Sequence, residues 1–495
     1  MPGEGVAAYR PIELGYSFAR EGGVLVVHEQ GEPVCIHRAD AELAALLEVQ
    51  RLFGKIVWRM VADAEFADAL QTLYRESSGI AADLATGEDV DLASLADSAA
   101  EVDDLLDNRD DSPVIRLINA LLLQAIKEGA SDIHIETQER RLIVRFRVDG
   151  VLRDMIEPKR ALAPLLVSRI KVMARLDIAE KRIPQDGRVT LRVGGHEVDV
   201  RVSTIPTQHG ERVVMRLLDR GSVELDLTGL GMTARNTALL DRLLRRPNGM
   251  IVVSGPTGSG KTTTLYAAIT RVNDRVSNIM TVEDPIEYEL EGIAQTQVNH
   301  RTDMSFARGL RAILRQDPDI IMVGEIRDGE TAEVAVRASM TGHLVLSTLH
   351  TNSAIGSITR LIDIGVERYL LAPMVIGLLA QRLVRRLCPN CREEVRATAA
   401  DVAMLDGAIE TGEPVWKPVG CDACHGDGYR GRTGIHEVVN VDAEMESLIH
   451  DGASEAELER HARSLGPSLL DDGIAKIREG ATSIAEVARV VRDES

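Results

Sequence analysis

The sequence predicts an α/β protein of several domains, and three observations lead to that prediction. The chain has 495 residues, which is enough for three or more domains. From about residue 225, short apolar strands alternate with helical stretches, as they do in a parallel α/β sheet. Within that region a glycine-rich loop, GPTGSGKT at 255–262, lies between an apolar strand and a helix. A hydrophobic fraction of 44% can supply the cores, although aromatic residues contribute only 3%.

The first 85 residues predict a small α/β domain. The predicted strands are VLVVHE at 24–29 and KIVWRMV at 55–61, and the predicted helices cover 39–53 and 67–76. Cys35 stands alone in an apolar segment and is expected to be a core residue. The acidic stretch AEVDDLLDNRDDSP at 100–113 has little apolar periodicity, so it predicts a solvated linker.

The middle of the chain predicts a helix followed by antiparallel strands. Ser112 suits an N-cap, Pro113 the first helical position and Gly129 the stop. Residues 131–217 are rich in strand-forming residues and contain two predicted hairpins. The hairpins cover 141–154, turning at Asp149-Gly150, and 188–204, turning at Gly194-Gly195.

The glycine-rich loop fits the pattern G-x-x-x-x-G-K-[ST] and predicts a cradle for nucleotide phosphates. The strand MIVVS precedes it and the helix TTTLYAAITRV follows it, which is the context that this pattern requires. The backbone N–H groups and the helix N-terminus would face the phosphates. We expect Lys261 to reach the β- and γ-phosphates and Thr262 to ligate Mg²⁺. The predicted nucleotide-binding residues are Gly255, Pro256, Thr257, Gly258, Ser259, Gly260, Lys261 and Thr262.

Two carboxylates are candidates for the hydrolytic step. Glu325 follows the buried strand of DIIMVGEIRD, where a carboxylate suits a Mg²⁺ or water site. The alternative is an ordinary core strand with a surface glutamate. Glu283 follows apolar residues in TVEDPIEYEL, where Pro285 breaks the chain, and could orient or deprotonate the attacking water. The alternative there is a solvated acidic turn.

Two histidines flank the next predicted strand. In GHLVLSTLHTN, His343 stands at the start and His350 beyond the end. Neither has a second His or Cys at the spacing of a zinc site. Either could hydrogen-bond the γ-phosphate, and a structural role is the alternative.

Four of the five cysteines form two C-x₂-C pairs separated by 29 residues. The pattern indicates a structural Zn²⁺ site, with a redox dithiol as the alternative. Four thiolates leave no open position, so we do not expect this metal to be catalytic. The predicted ligands are Cys388, Cys391, Cys421 and Cys424.

The composition and charge of the chain argue against several classes of protein. A formal net charge of −20 argues against a broad nucleic-acid footprint. The first twenty residues lack the apolar core of a signal peptide. The longest apolar run, 369–380, is shorter than the roughly 20 residues that a membrane span needs. We therefore expect a cytoplasmic protein that would act at a membrane through a partner.

Together these segments resemble the secretion ATPases, which drive type II secretion, type IV pili and related machines. SGPTGSGKTT, TVEDPIEY, QDPDIIMVGEIRD and TGHLVLSTLHTN are similar to the Walker A, Asp-box, Walker B and His-box segments of that family. The four-cysteine insert is similar to that of the assembly-type members. The stretches 14–27 and 175–219 resemble the type II secretion members. The resemblance runs from about residue 12 to 490 and implies functional roles for Glu283, Glu325, His343 and His350.

The resemblance also implies a domain order. That order is a docking domain at 1–90, an acidic tether at 91–112, a PAS-like lobe at 113–224, a RecA-like core at 225–387, the zinc insert at 388–424 and a C-terminal helical part at 425–495. It further implies a homo-hexamer that uses ATP, Mg²⁺ and Zn²⁺, with nucleotide between the lobes and at the subunit boundary. The docking domain would bind the cytoplasmic domain of an inner-membrane platform protein. A polytopic platform protein would be a second partner, and attachment to the inner membrane would be peripheral.

Two arginines of the PAS-like lobe are further candidates. Alternation in EVDVRVST places Arg201 on the polar face of a half-buried strand. Arg216 lies on the neighbouring segment GERVVMRLLD. The strand pattern alone favours ordinary surface residues. The resemblance implies instead that both arginines sense the γ-phosphate.

Three other functions are compatible with parts of the sequence. A DNA translocase would share the core and the hexamer, but the charge and the scarcity of aromatic residues for base stacking oppose it. A scaffold without turnover is disfavoured, because Lys261, Thr262, Glu283 and Glu325 are all present. A type IV pilus assembly ATPase is the nearest alternative.

Overall fold

The computed structural model describes residues 22–29, 32–54, 56–63, 113–193, 196–219 and 225–491, together with single positions at 19, 66, 69, 92 and 96. It divides into two compact units, residues 1–221 and 222–495. The predicted linker, Ser112, the Gly194-Gly195 turn and most of the helix predicted at 67–76 lie outside the described residues. Of the helices that are described, none has both the length and the apolar character to cross a membrane.

The described residues 22–60 form a three-stranded sheet with one helix. The elements are β1 (Val24–Glu29), β2 (Glu32–His37), α1 (Leu43–Phe53) and β3 (Val57–Met60). β1 and β2 are antiparallel, and β2 pairs with β3 in parallel. The predicted strands and the helix at 39–53 are confirmed, and Cys35 is buried as expected. The sequence does not predict β2, because Pro33 and His37 interrupt its apolar pattern.

The described residues between 113 and 219 form a six-stranded antiparallel sheet with two helices. The elements are α2 (Pro113–Lys127), β4 (Ala130–Thr137), β5 (Leu142–Val148), β6 (Val151–Ile156), α3 (Ala163–Met173), β7 (Gln185–Val193), β8 (His196–Thr207) and β9 (Gly210–Asp219). The strand order is β6-β5-β4-β9-β8-β7. Both predicted hairpins are confirmed by the pairing of β5 with β6 and of β7 with β8. Asp149 and Gly150 have the positive φ that a two-residue hairpin turn requires.

A seven-stranded sheet forms the centre of the second unit, whose residues 225–491 are all described. Its strands are β10 (Gly249–Ser254), β11 (Ile279–Glu283), β12 (Ala294–Gln297), β13 (Ile320–Val323), β14 (Leu344–Leu349), β15 (Val375–Leu387) and β18 (Tyr429–Asn440). The order is β12-β11-β13-β14-β10-β15-β18. Every neighbouring pair is parallel except β15 and β18. This is the predicted parallel α/β core, extended by one antiparallel edge strand.

Helices cover both faces of this sheet. They are α4 (Ala234–Leu244), α5 (Lys261–Val272), α6 (Phe306–Ile313), α7 (Gly329–Met340), α8 (Gly356–Asp363), α9 (Arg368–Met374), α11 (Ala443–Asp451), α12 (Glu455–Leu465), α13 (Leu469–Arg478) and α14 (Ile484–Val491). Alternate residues of β10 enter two apolar clusters, Met250 and Val252 on one face and Ile251 and Val253 on the other. Burial on both faces explains why this strand is continuously apolar.

The cysteine-bearing insert lies between the two long edge strands β15 and β18. It contains β16 (Glu393–Arg396), α10 (Ala399–Met404) and β17 (Pro414–Lys417), and β16 and β17 are antiparallel. Its Leu405 and Val415 share an apolar cluster with Ile477 of α13 and Val487 of α14. The insert is therefore packed against the C-terminal helices and does not project freely. The part beyond residue 424 is not purely helical, because β18 completes the core sheet.

Candidate functional site

The glycine-rich loop joins β10 to α5 at the carboxyl edge of the core sheet. Lys261 Nζ donates hydrogen bonds to the carbonyl oxygens of Gly255 and Pro256, at 2.7 and 3.0 Å. Burial lowers the pKa of Lys261 to about 8, with the Glu325 carboxylate opposing this shift and Arg382 adding to it. The amine thus lies inside the loop, where it can exchange the two carbonyls for phosphate oxygens.

Close packing explains two of the loop glycines. A Cβ on Gly255 would lie 2.5 Å from the carbonyl oxygen of Gln381 and 2.6 Å from Ser259 Oγ. Gly260 is the N-cap of α5 and has a φ of 84°, which favours glycine. The buried Gln381 side chain connects the loop to the helix α5 that follows it. Its Nε2 donates to the carbonyl of Ser259 at 2.8 Å, and its Oε1 accepts from Thr264 Oγ1 at 2.6 Å.

The sequence reasoning missed Gln381 and the adjacent Arg382. Arg382 is buried and donates to the carbonyl oxygen of Asn352 at 2.8 Å. Both residues interrupt the apolar strand VIGLLAQRLVRRL. Because buried polar groups need hydrogen-bond partners, this interruption is the signal that could have indicated contacts at the cradle.

Glu325 and His350 lie at the carboxyl ends of the neighbouring strands β13 and β14. His350 Nε2 lies 3.3 Å from Glu325 Oε2, and Arg327 donates to the other carboxylate oxygen. The Glu325 carboxylate also acts on the pKa of Lys261, so the two charges lie within electrostatic reach. The structure therefore brings Lys261, Glu325 and His350 together at the carboxyl edge, where ligands bind to parallel sheets.

His343 is not part of this group. It precedes β14, and its carbonyl oxygen accepts from Gly249 at the amino end of β10. Its Nδ1 lies 2.8 Å from the carbonyl oxygen of Ala338. The whole of β14 separates it from His350, a distance of roughly 20 Å. The structure therefore does not bring His343 to the cradle of its own chain, and its contact with a γ-phosphate stays a prediction.

Glu283 is buried, although the sequence predicts that it handles the attacking water. It is 1% exposed, and its carboxylate accepts hydrogen bonds from Tyr266, Thr281 and Gln295. Both oxygens are thus occupied by neutral donors within the protein. This geometry excludes a solvated acidic turn at this position, and a role of Glu283 on the attacking water stays a prediction. Asp284, the next residue, is only partly buried.

The two candidate arginines of the first unit lie in one row across the antiparallel sheet. Arg201 on β8 pairs with Arg188 on β7 and with Arg216 on β9. Side chains from this row line a cavity of about 460 Å³. Arg216 Nε donates to Asp132 Oδ1 at 2.9 Å, and Arg147 lies 3.8 Å from the same carboxylate. Like charges at directly opposed positions repel, so the row is suited to an anion.

The four predicted cysteine ligands form one cluster. Their Sγ atoms all lie within 4.8 Å of one another. The Sγ atoms of Cys388 and Cys421 are 3.9 Å apart. The Sγ atom of Cys424 lies 3.8 Å from that of Cys421 and 3.8 Å from that of Cys391. A tetrahedral site with Zn–S bonds of about 2.3 Å requires S···S distances of about 3.8 Å, whereas a disulfide is about 2.05 Å long. The spacing therefore fits a four-thiolate metal site.

Backbone donors prepare this cluster for thiolates. Cys421 N and Gly428 N donate to Cys424 Sγ at 3.2 and 3.1 Å, and Gly420 N donates to Cys391 Sγ at 3.3 Å. Burial would raise the pKa of Cys424, but these backbone donors lower it to about 7. Burial and the neighbouring thiols raise the pKa of Cys421 to about 11. A bound cation would favour the thiolate at all four positions.

Comparison with known proteins agrees with this geometry. A family model described as type II/IV secretion system protein matches residues 107–489, which is most of the chain. The chain belongs to the type II/IV secretion system protein family. A second model, for an N-terminal domain of GSPII protein E, matches residues 13–74. Family membership identifies the chain as a secretion ATPase and implies that it uses ATP and Mg²⁺.

Individual relatives of this secretion ATPase are similar over nearly its full length. It is 58% identical over 497 residues to type II secretion system protein E of Pseudomonas aeruginosa, covering 100% of this chain and 99% of that protein. It is 54% identical over 462 residues to type II secretion system ATPase E of Vibrio cholerae, covering 92% and 91%. The structure of the pilus retraction motor PilT with bound ADP has a TM-score of 0.52 and 26% identity, covering 75% of this chain and 96% of that chain. These findings confirm the family resemblance and the α/β multidomain fold.

Proposed function

We propose that this secretion ATPase is a hexameric motor on the cytoplasmic side of the inner membrane. Its ATP hydrolysis extends a pseudopilus and drives protein export through a type II secretion system. The observation that carries the proposal is the N-terminal E-type domain joined to the ATPase core in one chain. Type II relatives that match nearly the whole chain support the same conclusion.

The nucleotide site supports hydrolysis through its own residues. Lys261 holds the β- and γ-phosphates, and the loop N–H groups surround them. Thr262 and Glu325 would hold Mg²⁺, which would neutralise charge that develops on the transferred phosphoryl group. His350, next to Glu325, is placed to hydrogen-bond the γ-phosphate or the attacking water. The buried position of Lys261 strengthens its attraction for phosphate, because the local dielectric is low.

Arg201 and Arg216 are proposed to complete this site in the assembled ring. The opposed pair and the neighbouring Arg188 form a cationic surface that suits a phosphate group. Arginine supplied to a phosphoryl-transfer site typically increases its rate about 10³–10⁵-fold. Contact of both arginines with the γ-phosphate would make the position of the lobe depend on the state of the nucleotide.

The N-terminal sheet supports a docking role for residues 1–90. Apolar side chains of α1 and of the edge strand β3 are exposed, and Leu43 is 71% and Met60 67% exposed. We call the exposed apolar side chains of Leu43 and Leu47 on α1 and of Met60 on β3 the docking face. Such a surface is typical of protein–protein contacts. We propose that it binds the cytoplasmic domain of the inner-membrane platform protein and so attaches the motor peripherally to the membrane. A polytopic platform protein is the proposed second partner.

A complementation experiment tests this function. A bacterium that lacks the gene is supplied with the wild-type chain, with Lys261→Ala, or with the docking-face double variant Leu47→Glu/Met60→Glu. Export of enzymes into the medium is measured together with pilus formation. The wild-type chain should restore export and Lys261→Ala should not. The docking-face variant should lose export although the purified protein retains its basal ATPase rate.

Other outcomes would identify a different function. Restoration of pili without export would indicate a pilus assembly ATPase. In the purified protein, stimulation by single-stranded DNA in place of the platform's cytoplasmic domain would indicate a DNA translocase. A docking-face variant that exports normally would show that another surface holds the platform protein.

A further inference from the structure

Tyr266 on the cradle helix α5 holds both ends of the turn that follows β11. Its hydroxyl donates to Glu283 Oε2 at the start of the turn. The same hydroxyl accepts a hydrogen bond from the backbone N–H of Glu287 at 3.3 Å. The ring is fully buried and packs edge-on against Tyr288, with 4.7 Å between the ring centroids. The turn of residues 283–287 is therefore attached to α5 through one side chain.

The same face of α5 carries the magnesium candidate. Thr262 and Tyr266 are four residues apart, so they lie one above the other on the helix. Lys261 begins this helix. Any displacement of the cradle helix therefore moves the Tyr266 hydroxyl with the residues that hold the phosphates.

The Tyr266–Glu283 contact buries a carboxylate, and this costs more free energy than a purely structural contact requires. Glu283 is almost completely buried, with 1% of its surface exposed. Its carboxylate is satisfied by hydroxyl and amide donors from Tyr266, Thr281 and Gln295. An apolar pair would fill the same space without the cost of burying a charge. Burial also raises the pKa of Tyr266, so its hydroxyl keeps the proton that it donates.

The turn adjoins the hydrolytic carboxylate. Gly324, which precedes Glu325, donates its N–H to the carbonyl oxygen of Val282 at 2.8 Å. Arg327 donates to Glu325, and this hydrogen bond raises the pKa of Arg327, with a further contribution from the charge of Asp284. The turn thus lies between α5 on one side and the Glu325–Arg327 pair on the other.

We propose that Tyr266 is a positioning residue for hydrolysis. Its hydrogen bond to Glu283 fixes the position of residues 283–287 relative to the cradle. These residues then hold the charged groups around Glu325 in position. Glu283 acts in this arrangement as the acceptor that holds the turn.

Tyr266→Phe in the full-length protein tests this proposal, because it removes one hydroxyl and keeps the ring. We expect kcat to fall about tenfold, the size expected for loss of a hydrogen bond to a charged group. KM for ATP and the affinity for a fluorescent ATP analogue should change less than about twofold, because the cradle is intact. Tyr429→Phe is the matched control. Its hydroxyl is likewise buried and lies within hydrogen-bond distance of Ser483 Oγ, at 2.7 Å, and kcat of this variant should remain within about twofold of wild type.

A double-mutant cycle separates positioning from general destabilisation. Glu283→Gln and the double variant Tyr266→Phe/Glu283→Gln are measured beside the single change, with Tm recorded for each. The double variant should be no slower than the slower single variant, because both changes remove the same contact. A Tyr266→Phe protein with lowered Tm but normal kcat would overturn the proposal, and so would two losses in kcat that multiply. If Tyr266→Phe does not fold, the kcat and nucleotide affinity of Glu283→Gln decide the question alone.

Discussion

Arg216 Nε lies 2.9 Å from Asp132 Oδ1, across the neighbouring strands β9 and β4. Ser131 Oγ donates to the second oxygen of the same carboxylate at 2.8 Å. Asp132 is buried and holds the guanidinium of Arg216 in place beside Arg201. An arginine held by a carboxylate in this way loses less conformational entropy when an anion binds.

Arg201→Ala and Arg216→Ala should each lower the kcat of the assembled ring about 10³-fold, at the lower end of the effect of arginine fingers. Affinity for ATP should fall much less, because the cradle holds most of the phosphate contacts. Steady-state ATPase assays on size-fractionated hexamers measure the effect. Arg212→Ala is the matched control on the same strand. Arg212 pairs with Glu136 outside the row, so its kcat should stay within about threefold. Wild-type turnover in both row variants would make these arginines ordinary surface residues.

Lys261→Ala should abolish turnover and leave Tm unchanged within a few degrees. The pH dependence of the wild type gives a sharper test. Burial lowers the pKa of Lys261 to about 8, so the amine is charged below that pH and increasingly neutral above it. The value of kcat/KM should therefore fall about tenfold per pH unit above roughly pH 8, since this ratio reports the free enzyme. Lys261→Arg should remove that fall, because arginine stays charged. A flat profile in the wild type would contradict the assignment.

Glu325→Gln should lower kcat about 100-fold and retain ATP binding, because the amide keeps the shape but loses the charge. His350→Ala should lower kcat about tenfold, since it removes one group that contacts the carboxylate. His343→Ala serves as the comparison and should remain within about threefold of wild type. Single-turnover assays measure the hydrolysis step, and equilibrium titrations measure ATP binding, so a slower chemical step is distinguished from weaker binding. A slower His343→Ala than His350→Ala in the isolated subunit would reverse the geometric assignment.

Protein purified without chelator should contain one Zn²⁺ per chain. Structural zinc sites contribute roughly 10–16 kcal/mol of apparent binding free energy at neutral pH, so Cys391→Ser should lower both metal content and Tm strongly. Elemental analysis and thermal unfolding provide the measurements. Cys35→Ser is the control and should retain full zinc, because Cys35 is a buried thiol outside the cluster. Absence of metal, or a disulfide between the pairs, would contradict the prediction.

Local patterns in the sequence predict much of this site. The cradle, the strand that ends before Glu325 and the two cysteine pairs each combine a short spacing with a fixed context of strand or helix. Asp132 could not be found in this way, and the interrupted apolar strand marks Gln381 as a buried polar residue without identifying its partners. Their function depends on which distant segments pair, for example Asp132 with Arg216, which lies 84 positions further along the chain. Such pairing is decided by tertiary packing and not by local periodicity.

The positions of His343 and Glu283 show what local reasoning omits. His343 and His350 flank the same strand symmetrically, but the direction of a parallel strand makes its two ends different. His350 follows β14 and reaches the carboxyl edge, whereas His343 precedes it. Glu283 ends β11 with its side chain turned towards Tyr266. The sequence identifies the acidic residue but not the helix against which that side chain packs.

The route by which the chain enters and leaves the cysteine insert has an evolutionary consequence. Leu387 and Tyr429 are paired neighbours on β15 and β18, so a short turn could join these strands directly without altering the order of the core sheet. The insert can therefore be gained or lost at this point of the topology. Its apolar contacts with Ile477 and Val487 restrict such an exchange, because loss of the insert alone would expose both side chains to water. The insert and the last two helices are consequently expected to change together among relatives, as one inherited unit.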